Sequence, residues 1–385
     1  MLAVLLFASG CSTLAQDGNA EPPVPHDPVV PLWQLPPIAT PYFIGWYGAH
    51  SPSRPGFGDA LLLDTQTMET EALLEDLPWW SGRGVMGCPW AAGTQVDWLS
   101  STDDFVKQFV DKAIAPGLPA ICLDEMVGYD TETQNLREST PGTGKYPGNP
   151  KNRELTEACR RIKERYPGLF IAVYSHMQSD AMVEAIKAGW IDLNIVMSYM
   201  HWPGQPAWTE RLALWRLGNA RKAGVEEKTI PSISLAGAPN DVIDSAWVEK
   251  WIKHYREHFP KMPGVFFYPH PYRDGHPEDL APEKVQLMRD CNRLVREHYI
   301  DPAPKVTIAA PADGATVAES VEIRAGADRP VSLWRLYVGS TLVAENDTGL
   351  FARDSLPAGM TALTVHAITE EWLRGAAQIQ VTVQG

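Results

Sequence analysis

Short apolar runs alternate with amphipathic stretches through the middle of the chain. The run Leu169–Tyr174 is too short for a helix and has no polar face, as expected for a strand buried on both sides. The stretch Lys151–Tyr166 before it places Leu155, Cys159 and Ile162 on one helical face, and a Pro-Gly pair ends it. This pattern predicts parallel strands joined by helices.

The alternation occurs about eight times between residues 42 and 300. We predict strands at 42–48, 60–64, 84–90, 118–125, 169–174, 191–199, 230–235 and 264–268, and helices at 103–113, 151–166, 180–188, 209–223, 245–258 and 282–299. The segment 60–64 could equally open a helix. This size and rhythm favour an α/β fold, a (β/α)8 TIM barrel over 42–300. The alternative is a doubly wound open sheet, but no Gly-rich phosphate turn follows the first strand.

The pattern changes after Asp301–Pro304 to short runs of alternating polarity separated by Gly, Pro and Asp. Such runs predict a small all-β sandwich over 305–385. The segment Ala310–Val317 resembles the opening of bacterial immunoglobulin-like modules, and the resemblance implies a spacer or a binding module. We expect this sandwich to fold separately from the barrel.

The first residues are an apolar run followed by Ser9, Gly10 and Cys11. This arrangement resembles a bacterial lipoprotein signal over 1–16, in which the cysteine becomes lipidated; an ordinary secretory signal is the alternative. Residues 17–41 are rich in Pro and read as a linker. The lipoprotein signal and the secretory signal both predict an extracytoplasmic protein, either anchored in the cell envelope or secreted. We expect membrane contact only through lipid on Cys11.

The charge, hydropathy and cysteine content of the chain limit which binding partners and cross-links it can have. The net charge is -14 without a compensating basic run, which argues against nucleic acid as a partner. No stretch reaches the roughly 18 apolar residues of a membrane span. The cysteines after Cys11 lack zinc-site spacing, and we expect Cys88 and Cys122 to be small buried hydrophobic residues rather than a disulfide.

Polar and aromatic residues follow the predicted strands, at the edge where barrel enzymes carry their active sites. The fourth strand ends in Asp124 and Glu125, and we take these two as the catalytic candidates. Carboxylates beside aromatic rings suit glycoside hydrolysis, in which one acid protonates the leaving oxygen. The candidate substrate-binding residues are Trp46, His50, Trp90, Tyr174, His176, Tyr199, His201, Trp202 and His270.

Three of these strands resemble the chitinase-like glycoside hydrolases of family eighteen. The fourth ends in a glutamate, the sixth reads Val-Met-Ser-Tyr up to Tyr199, and the eighth reads Gly-Val-Phe-Phe. The resemblance implies that Glu125 is the general acid and that Tyr199 contacts substrate. The chain departs from the family where Ala120 and Cys122 replace acidic residues and Met200 replaces an aspartate. These departures put substrate-assisted cleavage of N-acetyl sugars in doubt and favour a more general barrel glycosidase.

Two other functions remain open. A metal-dependent hydrolase could use the strand-end histidines with Asp124 or Glu125, although no HxH or HExxH pair is present. A non-catalytic glycan-binding surface lipoprotein would also fit the missing acidic residues. We predict a monomeric glycoside hydrolase that needs no cofactor and no metal, with carbohydrate as its partner.

Overall fold

The computed structural model describes the chain in several stretches. These are residues 41–47, 67–69, 80, 85–88, 90–92, 102–109, 120–124, 150–175, 180–199, 209–235, 242–269, 282–339 and 341–384. The predicted signal (1–16) and the segment 60–64 lie outside these residues. The predicted linker (17–41) also lies outside them, except for its last residue.

A curled parallel sheet forms the first part of the described chain. Its strands are β1 Phe43–Trp46, β2 Thr67–Glu69, β3 Met86–Gly87, β4 Trp90–Ala92, β5 Ala120–Asp124, β6 Phe170–Ser175, β7 Leu193–Val196, β8 Thr229–Ser234 and β9 Gly264–Tyr268. Their order is β3-β2-β1-β9-β8-β7-β6-β5-β4, and every neighbouring pair is parallel. The predicted α/β arrangement of parallel strands is therefore confirmed.

Two strands differ from the sequence prediction. The second strand lies at Thr67–Glu69, beyond the segment 60–64 that was expected to form it. The third is divided into β3, which pairs with β2, and β4, which pairs with β5. Only Cys88 and Pro89 separate the two pieces, and proline has no backbone N–H to give to a sheet.

Six helices in the described residues connect or flank these strands. They are α1 Thr102–Phe109, α2 Pro150–Arg165, α3 Asp180–Ala188, α4 Glu210–Lys222, α5 Ser245–His258 and α6 Pro282–Val295. The side chains of Thr209 and Asp244 cap α4 and α5 by accepting hydrogen bonds from backbone N–H groups of the first turn. A 3₁₀ turn, Glu226–Lys228, precedes β8, and a π-helical turn, Arg296–Ile300, follows α6. No helix among the described residues is long and apolar enough to cross a membrane.

Strand alternation divides the apolar side chains of the parallel sheet into two layers. On β6, Ile171 and Val173 pack with the helices in an outer layer, while Phe170, Ala172 and Tyr174 belong to an inner cluster. Both faces are buried, which explains why these strands read as continuous apolar runs. The four cysteines in the described residues are buried, as predicted for Cys88 and Cys122.

The C-terminal region forms two smaller sheets. Its strands are β10 Val306–Ala310, β11 Thr316–Val317, β12 Val321–Ala327, β13 Leu333–Val338, β14 Thr341–Asn346, β15 Leu350–Arg353, β16 Gly359–Ile368 and β17 Arg374–Val383. One sheet has the order β10-β12-β15 and the other β11-β17-β16-β13-β14. Side chains from both sheets, including Ile323, Trp334 and Phe351, share one apolar core.

Candidate functional site

Five buried aromatic side chains meet at the carboxyl edge of the parallel sheet. We call them the aromatic cluster: Tyr47, Tyr174, Tyr199, Phe266 and Tyr268. The ring of Tyr47 lies 5.2 Å from that of Tyr174 and 4.9 Å from that of Tyr268, measured between centroids. Phe266 lies 5.0 Å from Tyr174, and Tyr199 lies 5.4 Å from Tyr268. These separations are those of interacting aromatic pairs, so the rings form one continuous packed cluster.

The cluster brings together inner-face residues from strands that are not all neighbours, since β9, β8 and β7 lie between β1 and β6 in the curled sheet. Tyr47 directly follows β1, Tyr174 is the penultimate residue of β6, and Tyr268 ends β9. The carboxyl ends of parallel strands lie at one edge, and residues two apart share a face. The inner-face residues of these ends therefore converge there.

A glycine makes room for the central ring. Gly45 pairs with Phe266 across β1 and β9, and a Cβ at position 45 would lie 2.1 Å from Cδ2 of that ring. No carbon atom can approach another so closely, so Phe266 occupies the space that a side chain at residue 45 would need. The aromatic cluster thus depends on the missing side chain of Gly45.

Tyr199 lies beyond the end of β7, and side chains hold the segment that carries it. Tyr255 Oη donates a 2.6 Å hydrogen bond to the carbonyl of Ser198, and Arg216 Nη1 donates one of 2.6 Å to that of Met197. Burial raises the pKa of Tyr255, although the hydrogen bond to Ser198 acts in the opposite direction. The raised pKa keeps the phenol protonated, so it can donate this hydrogen bond.

Two serines extend the pairing of β7 with β8. The backbone N–H of Ser232 donates to Oγ of Ser198 at 2.8 Å, and Ser198 Oγ donates to the carbonyl of Ser232 at 3.0 Å. Pro231, the last paired residue of β8 opposite β7, has no N–H for the ladder. The serine side chains fix the two strands just beyond this point, directly before Tyr199.

Small side chains line the inner face next to the aromatic cluster. Ala120 and Cys122 of β5 and Ala172 of β6 belong to the inner cluster, and Cys122 pairs with Ala172. At the end of β5 the backbone of Asp124 pairs with Tyr174 on one side and Ala92 on the other. The backbone of Asp124, the last residue of β5, is therefore paired directly beside an aromatic-cluster residue.

The predicted site residues fall into three groups. Tyr174 and Tyr199 lie together in the aromatic cluster. For Asp124 and Trp90 the structure gives the strand position, at the end of β5 and the start of β4. The remaining candidates other than Trp46 lie outside the described residues: Glu125, His50, His176, His201, Trp202 and His270.

Trp46 lies in the outer layer, away from the aromatic cluster. Its side chain is fully buried, its ring packs 5.0 Å from that of Phe267, and its Nε1 donates a 2.9 Å hydrogen bond to Asn292 of α6. Tyr47, the next residue, takes the inner position instead. The prediction from sequence did not include Tyr47, Phe266 or Tyr268 in the site, because alternation along β1 and β9 does not by itself show which face lies inside.

No group of three or more His, Cys, Asp or Glu side chains within the described ranges is placed to hold a metal ion. The histidines that the metal-dependent alternative needs, His50, His176, His201 and His270, are not among those residues.

Comparison with known proteins gives distant structural likeness. No protein-family model matches the sequence, and no curated protein matches it. An endo-beta-1,4-mannanase from Thermotoga petrophila is similar over 89% of this chain and 98% of its own, with 14% identity and a TM-score of 0.39. An endo-beta-N-acetylglucosaminidase from Cordyceps militaris is similar over 66% of this chain and 90% of its own, with 9% identity and a TM-score of 0.41. A chitinase from Bacillus thuringiensis is similar over 78% of this chain and 66% of its own, with 10% identity and a TM-score of 0.36. With all three TM-scores below 0.5, function has to be argued from the residues of this chain.

Proposed function

We propose that this chain is an exported glycoside hydrolase whose active site lies at the carboxyl edge of the parallel sheet. The observation that carries the proposal is the pairing of Asp124 with Tyr174. It places the backbone of Asp124, the first of two carboxylate residues adjacent in sequence, beside that of an aromatic-cluster residue. Sugar rings pack their apolar faces on aromatic side chains, while their glycosidic oxygens need an acid for cleavage.

We also propose that the parallel sheet is a closed (β/α)8 barrel. The strands β3 and β4 stand at the two ends of the sheet order and are two residues apart in sequence. Residues 86–92 would then form one barrel strand that pairs with β2 on one side and β5 on the other. In a closed barrel all strand ends surround one mouth, where active sites of this fold lie.

The two carboxylates are proposed to have different roles. Ala120 and Cys122 belong to the inner cluster, and Asp124 is the next alternate residue along β5. We assign Asp124 to the stabilisation of positive charge that develops on the sugar ring. Glu125 begins the segment after β5, and we assign it to protonation of the leaving oxygen, as the family-eighteen resemblance implies.

The test compares Glu125→Gln and Asp124→Asn on two kinds of substrate. Wild-type protein is first screened on a polysaccharide panel, and each variant is then measured on the active polysaccharide and on an aryl glycoside with a good leaving group. Glu125→Gln should lose about 10²- to 10⁴-fold on the polysaccharide and much less on the aryl glycoside, which needs little protonation. Asp124→Asn should lose activity on both. Glu164→Gln on the exposed surface of α2 is the matched control and should retain full activity.

Other outcomes decide between the alternatives. Full activity of both variants on the polysaccharide would refute the assignment of these carboxylates. Activity that chelation abolishes and divalent metal restores would indicate the metal-dependent hydrolase. Glycan binding without turnover across the panel would indicate a non-catalytic binding protein.

The remaining proposals concern place and assembly. We propose that the two C-terminal sheets form an immunoglobulin-like sandwich, that the protein is a monomer, and that lipid on Cys11 anchors it in the cell envelope. Carbohydrate contact is proposed for the aromatic cluster and for His50, Trp90, His176, His201, Trp202 and His270. Expression from the complete gene, followed by detergent partition and mass spectrometry, tests the anchor: Cys11→Ser should release a protein that wild type retains in the detergent phase.

A further inference from the structure

Part of the five-stranded C-terminal sheet, on β13 and β16, is buried on both faces. On β13, Trp334 and Leu336 point into the sandwich core, so Tyr337 belongs to the opposite face, yet only 8% of it is exposed. On β16, Thr364 and His366 lie on the same face of the sheet as Tyr337, and both are also buried. The outer face of an isolated sandwich is solvated and polar, so a second structure must cover this one.

The parallel-sheet region covers it through Glu227. This residue lies in the 3₁₀ turn before β8, and its carboxylate accepts hydrogen bonds from Arg335 of β13 at 2.5 Å and 3.4 Å. A second guanidinium, that of Arg374 on β17, lies 3.8 Å away. Burial alone would raise the pKa of Glu227, but the hydrogen bond from Arg335 and the neighbouring positive charges outweigh it and hold that pKa below its usual range.

Arg374 makes further contacts across the same boundary. Its backbone N–H donates to Oη of Tyr42, just before β1, and its guanidinium donates to the carbonyl of Lys261, just before β9. Lys261 Nζ in turn lies 4.0 Å from the ring centroid of Trp372. Tyr42, Glu227 and Lys261 all precede strands of the parallel sheet, so the contacts lie at its amino edge, opposite the aromatic cluster.

The connection between the two regions is also packed. A Cβ at Gly375 would lie 1.8 Å from the carbonyl oxygen of Pro304, so the chain that follows α6 runs against β17. Ala303 is buried in the outer layer of the parallel sheet. Arg329 donates to the carbonyl of Pro302 at 2.5 Å. This segment is therefore a packed connection, unlike a free linker.

We propose that the C-terminal sandwich is permanently docked on the amino edge of the parallel sheet, with Glu227, Arg335 and Arg374 as the polar centre of the interface. The sandwich then stabilises the amino edge of the parallel sheet by contacting the segments directly before β1, β8 and β9. This function differs from the tethered spacer or glycan-binding module that the sequence suggests, and it argues against separate folding of the two parts. A partly buried carboxylate shared by two guanidinium groups also restricts the docking angle, because Arg374, which is buried, loses this carboxylate if it turns away.

Two substitutions on the same arginine test the proposal in the full chain. Glu227→Gln removes the charge that crosses the interface, whereas Glu345→Gln removes the other carboxylate bound to Arg335, at 2.7 Å, within the C-terminal sheet. By calorimetry, wild type should unfold in one transition. Glu227→Gln should lower its Tm by roughly 4–8 °C, and the more exposed Glu345→Gln by less than about 2 °C.

Hydrogen exchange then locates the effect. In Glu227→Gln, exchange should accelerate on both sides of the interface, at 226–229 and 261–264 and also at 364–368 and 374–378. Two independent transitions in wild type would overturn the proposal, and so would faster exchange confined to the turn around residue 227. If Glu227→Gln proves too unstable to purify, Arg335→Lys provides the milder variant, since it keeps the charge and loses the forked hydrogen bonds.

Discussion

Substitution of Gly45 by alanine probes the aromatic cluster without touching any proposed catalytic group. The new Cβ would lie 2.1 Å from Cδ2 and 2.9 Å from Cε2 of Phe266. Carbon atoms in contact are about 3.5–4.0 Å apart, so the ring would have to retreat by roughly 1.5 Å. The ring of Tyr174 lies 5.0 Å from that of Phe266, centroid to centroid, so Phe266 has a packed neighbour that limits its movement.

Overpacking of this kind costs about 1–3 kcal/mol, whereas replacing glycine in a strand gains about 0.5–1 kcal/mol. We therefore expect Gly45→Ala to lower the free energy of unfolding by about 1–2 kcal/mol. Gly218→Ala is the matched control, because a Cβ at that position of α4 would meet nothing within 4 Å. It should raise the free energy of unfolding by up to about 1 kcal/mol through helix propensity.

Urea unfolding followed by tryptophan fluorescence measures both variants, and near-ultraviolet circular dichroism reports the tyrosines of the cluster. Phe266→Leu should cost less in the Gly45→Ala background than in wild type, since the smaller side chain leaves room for the added methyl group. Gly45→Ala with unchanged stability and an unchanged near-ultraviolet spectrum would refute the packing argument.

Three further predictions concern other buried groups. Asn292→Ala removes the acceptor of the Trp46 indole and should lower the free energy of unfolding by about 1–3 kcal/mol in urea, while Arg293→Ala on the exposed side of the same helix should cost less than about 1 kcal/mol. Burial raises the pKa of the Cys159 thiol to about 12, so peptide mass spectrometry at pH 8 should find it unalkylated by iodoacetamide in the native protein and alkylated after denaturation; rapid native labelling would contradict its burial. Because the pKa of Glu227 is lowered on folding, its contribution to stability is complete above about pH 4.5 and declines as the pH falls through its folded pKa. The Tm difference between wild type and Glu227→Gln should therefore shrink in acid. A Tm difference that grows in acid would refute this linkage.

The local pattern of the sequence determined where the helices and strands lie. The predicted bounds of α3 and α5 agree with the structure, and β6 differs by one residue at each end. Helix periodicity, caps such as Asp244, and short apolar runs are properties of neighbouring residues, so they can be recognised without knowledge of the fold. The sequence also identified Cys88 and Cys122 as buried and brought Tyr174 and Tyr199 into the candidate site.

Only the tertiary structure decided which face of each strand belongs to the site. Both faces of a buried parallel strand are apolar, so alternation separates Trp46 from Tyr47 but does not say which of them lies inside. The division of the third strand and the position of the second likewise depend on partners distant in the chain. The docking of Arg335 and Arg374 on Glu227 joins residues more than a hundred positions apart, and no local pattern encodes such a contact because each of these residues alone reads as an ordinary surface charge.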